Sequence, residues 1–551
     1  MTGPARTPSR RTFLTAGASL GALALATTAA GCQSSPNPGD PDYPSIAEQF
    51  NLAVPKGHLD VTIGAPLGHD GLSPFTTRSL QNTAALWHVY EGLSIMDPTR
   101  GRTEPGLSQN LFDPAQVTFD VFLRDGAIFH DGTPVTPADV AYSFEAALDE
   151  NNNYPHRELL DFFDRATPIA DNVVQLRLNY PTPEINERLS LVKIIPEGTD
   201  PATLLEKPNG TGPWKITEHD AEAGTITFEA FDQYSGVCPA LYETMTWHVE
   251  RDESAITKAL TDGSTHVALP VPAKKYRELE KSSQAKNGTL HLAAQKGKAG
   301  IYAMFNHAEG HPFAAIEARR GFMKAFDYKG CAKRVFAGHV DPVKSPVYPG
   351  TPGFTSASSV YTHAPEEARE LFTRAEVGKV RLLASNETWT QGVAESVKDS
   401  LAALGLEPDL EVLPWWDVVT RMEEESDGWD AALVFLDPAF VGFNPDTLLR
   451  SLYASPFWVD SRLRLGESEL VAEIRDVLDR STRSEFVGNE LQRALEKLMN
   501  HISTEIPMYP LVWMHTLSAI NTSKVADLPD TRSLGFVAST ATPPEEMGKK
   551  R

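Results

Sequence analysis

The chain is short of cysteine, short of basic residues and short of catalytic signatures, and each shortage closes off a class of protein. Three cysteines in 551 residues cannot build the disulfide framework of a small secreted scaffold, and with no CxxC pair they do not make a zinc ribbon. Fifty Lys and Arg against 73 Asp and Glu leave a formal charge of −23. Phosphate binding wants a basic face, so nucleic acid is excluded as a partner. HExxH and GxxxxGK[ST] are absent, the 15 histidines do not suggest a metal set, and no repeat period emerges. The lone GxSxG string, Gly17 to Gly21, has no strand before it, and Gly210-Thr211-Gly212 lacks the third glycine of a dinucleotide fingerprint. A non-enzyme without metal or cofactor is expected. What is present is ordinary for a folded body: 41% hydrophobic and 22% charged residues, in a chain long enough for two to four lobes.

The N-terminus reads as an export segment. Ser9-Arg10-Arg11-Thr12-Phe13-Leu14 is a twin-arginine pattern, and the uncharged run Phe13 to Gly31 is short of a comfortable membrane span. It ends in Ala29-Ala30-Gly31-Cys32, similar to a bacterial lipobox, which makes Cys32 the expected site of lipid attachment and the new N-terminus. Residues 32–57 open with QSSPNPGDPDYPS, a tether rich in Pro and Ser with no means of building a core. The globular body is therefore expected outside the cytoplasm, held to the cell membrane by the lipidated cysteine. Cys238 and Cys331 lie far apart in sequence, and two separate buried thiols are expected.

One stretch, FHDGTPVTPADVAYSFEAAL (129–148), is punctuated with unusual clarity. Asp131-Gly132 signals a tight turn. Thr136 is placed to cap a helix, with Pro137 at its first position and Asp139 near the positive end of its dipole. Val140, Ala141, Phe144, Ala147 and Leu148 then make one apolar stripe, while Val117, Phe119, Val121 and Leu123 alternate as a strand ahead of it. His130 and Asp131 complete no nucleophile or metal set, so the unit reads as scaffold. Farther on, Trp214–Thr217 and Thr225–Phe231 read as a hairpin. Val380–Ala384, a helix carrying Val393, Val397, Leu401 and Leu404, and Leu410–Leu413 read as a βαβ unit, stopped at Gly405. Ala431–Leu436 adds a strand. Leu491, Leu495, Leu498 and Ile502 mark a late helix before a strand at Met508–Trp513.

Taken together, these stretches resemble the extracellular solute-binding proteins, family 5 (peptide, nickel and oligopeptide type), of ABC importers. FLRDGAIFHDGTPVTPADVAYSFEAAL matches that family's best-known signature. Tyr90-Glu91-Gly92-Leu93, Asn209 to Trp214, the segment from Phe305-Asn306 to Asp327, and Ser503 to Leu511 follow in the family's order. The resemblance implies an α/β, two-lobed periplasmic-binding-protein type II (Venus-flytrap) fold with an extra subdomain in the first lobe. Its expected bounds are a signal peptide over 1–31, a tether over 32–57, a first lobe from 58–93, 190–304 and 511–545, the extra subdomain over 94–189, and a second lobe over 305–510. The implied partners are a small-molecule ligand, most simply an oligo- or dipeptide, and the transmembrane subunits of a permease, with the receptor itself a monomer. Oligosaccharides or metal chelates are alternative ligands, and a lipid-anchored sensor or chaperone is an alternative role.

The resemblance also nominates site residues. Family clefts use an aromatic after the strand of the second βαβ unit, where this chain has Trp415 and Trp416, with Trp416 first by spacing to Asp430. Peptide-binding members place an Asp after the next strand to pair the ligand's amino terminus, a role that falls to Asp437. The loop FLDPAFVGFNPDT departs from the family pattern by about two extra residues, with Asn444 where an acid is common. Arg421 is a candidate for a ligand carboxylate and also reads as a solvated helix-face arginine. Tyr90 is the candidate on the first-lobe side.

Overall fold

The computed structural model describes residues 55–543, apart from 65–66, 78, 98–101, 153, 238, 352–353, 355, 357–359, 467, 527, 529–540 and 542. Cys32 and Cys238 lie outside the described residues. Cys331 is a free, buried thiol, and burial pushes its pKa up to about 11.

Sixteen strands follow in chain order: β1 His58–Ile63, β2 Ser94–Asp97, β3 Arg102–Pro105, β4 Thr118–Phe122, β5 Phe163–Ala170, β6 Val173–Leu178, β7 Trp214–Asp220, β8 Thr225–Ala230, β9 Thr244–Val249, β10 Val267–Leu269, β11 Leu290–Phe305, β12 Val340–Asp341, β13 Lys379–Ser385, β14 Glu407–Leu413, β15 Ala431–Leu436 and β16 Met508–Asn521. Ten of them form one sheet in the order β14-β13-β15-β11-β16-β10-β1-β9-β8-β7, and β12 pairs beside it with β16. The sheet has two halves. In the first, β1 lies parallel to both β9 and β10; in the second, β13 lies parallel to both β14 and β15. The antiparallel pair β11 and β16 runs between them. Both are long because each serves both halves: β11 pairs with β15 at one end, and β16 pairs with β10 at the other. Their pairing slips in register between Lys296 and Gly300 and again between Ile301 and Tyr302, local irregularities of the kind that bend a strand. Gly300 is needed there, since a Cβ would lie 2.7 Å from the Val512 carbonyl oxygen.

The separate sheet β4-β6-β5 and the hairpin β2-β3 sit in the stretch inserted between β1 and β7. The 129–148 unit forms as its chemistry dictates. Thr136 Oγ1 accepts from the Asp139 amide while the Asp139 carboxylate accepts from the Thr136 amide, a complete capping box for the helix Pro137–Leu148. Gly132 has φ +89°, the left-handed turn conformation that glycine adopts without steric cost. Around that turn the backbone makes a single bridge, Ile128 to Pro134.

The βαβ unit is β13, the helix Thr388–Ala402 and β14, with Val393, Val397 and Leu401 buried. The hairpin strand begun at Trp214 runs on to Asp220, and the last strand continues past Trp513 to Asn521. Thr516 and Ser518 end the apolar pattern there, but the backbone pairs on both sides, so hydrogen bonding rather than side-chain polarity sets the strand's length.

Candidate functional site

Much of the signature builds a knot of polar contacts in the first half. His130 Nε2 bonds the Gly212 carbonyl at 2.9 Å, the His130 amide donates to Gly210 at 2.8 Å, and Asn209 Nδ2 donates to Asp131 at 2.9 Å. Burial holds the His130 imidazole near a pKa of about 4, so it is neutral and structural. Gly210 lies so close to the Val89 carbonyl that any Cβ would collide with it. Arg124 grips Glu91 at 2.8 Å and the Gly106 carbonyl at 2.7 Å. Tyr90 belongs to the same knot. It is 2% exposed, and its hydroxyl accepts from the Asn209 amide at 3.1 Å. The expectation that Tyr90 faces a ligand therefore meets a different placement: its ring is spent in the core and does not line the cavity described next.

A cavity of about 500 Å³ lies between the two halves of the sheet, within the ~300–1,000 Å³ range of single-ligand sites. Part of its second-half wall comes from chain that directly follows three parallel strands, and the rest from Ser451 to Arg462. Asn386 and Glu387 follow β13, Pro414, Trp415 and Trp416 follow β14, and Asp437 follows β15. The carboxyl ends of parallel strands are where an open α/β sheet leaves a crevice. Arg251, just past the end of β9, supplies the same position in the first half.

Trp415 is fixed by its indole N–H, which donates to the Phe435 carbonyl at 3.1 Å. Trp416 lines the cavity beside it. Both stand in the first turn of the helix Trp415–Glu424. Asp437 is 6% exposed and lies near the Tyr302 and Tyr348 phenols. Burial first, and the Asp437 charge second, push both phenols upward in pKa, so they remain neutral. Glu387 accepts from Ser385 Oγ at 2.6 Å and Thr390 Oγ1 at 2.9 Å, and burial raises its pKa. Trp87 from the first half and Phe440 from the second meet with ring centroids 4.5 Å apart. Arg251 donates to the Asn386 carbonyl at 2.6 Å, another contact between the halves.

Two cationic groups lie on the first-half side, Arg251 and Lys193. Lys193 Nζ donates to the Ser190 carbonyl at 2.7 Å, and burial, opposed by Glu91, pulls its pKa down to about 8. Tyr154 and Asn386 line the cavity, and among the described residues their Oη and Oδ1 atoms are buried without hydrogen-bond partners. Arg421 is elsewhere: it pairs with Glu411 at 3.2 Å and Glu425 at 3.1 Å and does not line the cavity. Among the described residues no cluster is arranged to hold a metal. His307 and His311, four residues apart, are taken up separately by the Pro507 carbonyl and Asp430.

Sequence reading missed Lys193, Arg251, Glu387 and Tyr154. For Glu387 the signal was available, because the residue after each parallel strand is a candidate by position alone. Lys193 and Tyr154 carry no such signal, since they reach the cavity through the packing of the insertion.

Residues 107–458 match the family described as bacterial extracellular solute-binding proteins, family 5 Middle. The glutathione-binding protein GsiB of Escherichia coli (strain K12) is 22% identical over 437 residues, covering 73% of this chain and 82% of that protein. GsiB of Pectobacterium atrosepticum is 24% identical over 301 residues, but the match spans only 57% of its length. Among solved structures, the periplasmic binding protein DppA from Helicobacter pylori, in complex with the peptide STSA, superposes with a TM-score of 0.78. It is 18% identical, over 90% of this chain and 100% of that one. NikA from Staphylococcus aureus, in complex with Ni(L-His)2, gives 0.73 at 17% identity, over 88% and 99%. The fold is thus the mixed α/β fold of family 5 binding proteins. No helix among the described residues is long and apolar enough to cross a membrane.

Proposed function

Because the chain belongs to the bacterial extracellular solute-binding proteins, family 5, and is a receptor rather than an enzyme, we propose that it captures oligo- or dipeptides for an ABC importer and hands them to a membrane permease. Lipid attachment at Cys32 keeps it beside that permease. The observation that carries the ligand class is the charge layout of the cavity. A buried carboxylate, Asp437, stands on the second-half wall together with Glu387, Asp417 and Arg462, and Lys193 and Arg251 are the cations of the first-half wall, which also carries Glu158, with aromatic rings between. A peptide is a zwitterion: its α-amine suits Asp437 and its terminal carboxylate suits the two cations. Trp415 and Trp416 offer faces to an apolar side chain. The volume favours the shorter peptides.

The aromatic wall also supports a second reading, an oligosaccharide or a planar chelate packed on Trp415 and Trp416. A thermal-shift screen of the protein against di- to octapeptides, gluco- and xylo-oligosaccharides and nickel chelates separates the two. A ligand at 100 times its Kd stabilises by about 2.7 kcal/mol, and the expected hits are peptides of two to about four residues. Hits confined to sugars or chelates would move recognition to the tryptophans and remove Asp437 from its role. No response from any class would overturn solute capture in this cavity.

A further inference from the structure

Beside the cavity the two halves share a buried polar contact that solute binding does not use. The helix Ile185–Leu191 packs on β2 in the first half. Its Arg188 side chain is fully buried and reaches Asp446 of the second half at 2.7 Å, holding Asp161 of its own half at 3.0 Å. One residue earlier, the Glu187 carboxylate accepts from the Phe443 amide at 3.1 Å, from Asn444 Nδ2 at 2.6 Å and from Thr447 Oγ1 at 3.4 Å. It thereby caps the start of the helix Pro445–Tyr453 from the opposite half, where the helix dipole favours a negative charge. Arg450 completes the second-half side, holding Asp446 at 3.3 Å and Asp479 at 2.9 Å. Met96, Leu159, Leu191 and Phe443 form a small apolar cluster alongside.

Among the described residues the chain passes between the halves only in β11 and β16. The contact therefore contributes to neither half's own core, and it exists only while the halves are together. Parting them would hydrate every charge in it. We propose that the 185–191 helix and the start of the 445–453 helix form an interlobe latch, which holds the receptor closed without solute and tightens as the medium acidifies. The latch presupposes that the halves part, as solute capture requires, but no particular solute.

The acid dependence follows from how the carboxyls are placed. Glu184, next to the helix start, is 7% exposed and accepts from Thr182 Oγ1 at 3.1 Å. Burial first, and the neighbouring Asp446 charge second, push its pKa up to about 7, against the pull of Arg188. Burial also raises Glu187. The charged and titratable groups facing this pair are Arg188, Asp161 and Tyr180 from the first half, and Asp446, Arg450, Asp479 and Tyr348 from the second. A carboxyl whose pKa is higher in the closed form than in the open one takes up a proton on closing. Closure is thus favoured in acid, and the advantage fades as pH rises through about 7.

The test is small-angle X-ray scattering of the full chain, freed of co-purified solute by unfolding and refolding, between pH 5.5 and 8. The empty wild type is expected to be compact at pH 5.5 and to expand toward pH 8. Asp446→Asn and Glu187→Ala should each lower the closed-to-open ratio by roughly tenfold or more, and Glu184→Gln should flatten the pH dependence. An empty wild type as open as the variants at pH 5.5, or variants as compact as the wild type, would overturn the latch. Should Asp446→Asn fail to refold, Glu187→Ala decides, because it removes the capping acceptor whatever its protonation state. Since no solute is present, a failed latch leaves solute capture standing, and a failed solute screen leaves the scattering result standing.

Discussion

In the first half of the molecule Glu91, Arg124, His130 and Asn209 are tied to one another and to backbone carbonyls at bonding distance. In the second half, Asn386, Trp415 and Asp437 are brought together only because each follows the end of a different parallel strand. The first group carries the recognisable motif and does not line this cavity; the second lines it and carries almost no motif. A knot of turns and buried ion pairs admits few residue types at each position, because every partner is fixed at once. A cavity wall needs only strand ends in the right place, and the side chains mounted there are free to suit the solute. Sequence resemblance therefore reports the scaffold of this receptor more faithfully than its ligand.

Substitutions can break that contrast or sharpen it. The largest effect is expected at Gly210. Gly210→Val drives a side chain into the Val89 carbonyl and should destabilise by about 4 kcal/mol or more, as read by urea unfolding, while any folded fraction binds solute as before. A stable Gly210→Val protein would deny the knot its structural role. Asp437→Ala should do the reverse, weakening peptide binding by about 2 kcal/mol in calorimetric titration with little change in unfolding midpoint. Unchanged affinity would remove the α-amine assignment. Trp416→Ala is expected to cost about 1–2 kcal/mol of affinity, most for peptides with a large apolar side chain; a uniform loss across peptides would place the ring in the wall and not in a side-chain pocket. Arg421→Ala, whose partners are surface carboxylates, should change stability and affinity by less than about 0.5 kcal/mol. A marked loss of affinity there would restore it to the site.

Several elements were legible in the residues alone because local chemistry determines them. Thr136 and Asp139 cap their helix as their spacing demands, and Val393, Val397 and Leu401 bury the face that their period marks. The long crossing strand β11 was not legible. Lys296, Gly297, Lys298 and Gly300 interrupt any strand pattern, and only the pairing of the flanking residues with β16, and of Gly300 to Phe305 with β15, carries the strand through. Tyr90 shows the limit of motif transfer: it stands inside a recognisable motif, yet its ring is buried and its hydroxyl is committed to Asn209.

The sequence by itself determined the caps, the amphipathic faces, the βαβ unit and, through the order of its motifs, the family. These rest on interactions between residues close in the chain, or on apolar periods that any core will bury. Only the tertiary structure decided which residues meet across the halves: Arg188 with Asp446, Arg251 with Asn386, Trp87 with Phe440. No local preference encodes a contact between residues more than a hundred positions apart. Such a contact exists because β11 and β16 carry the chain from one half to the other and back, and so bring two separately built surfaces face to face.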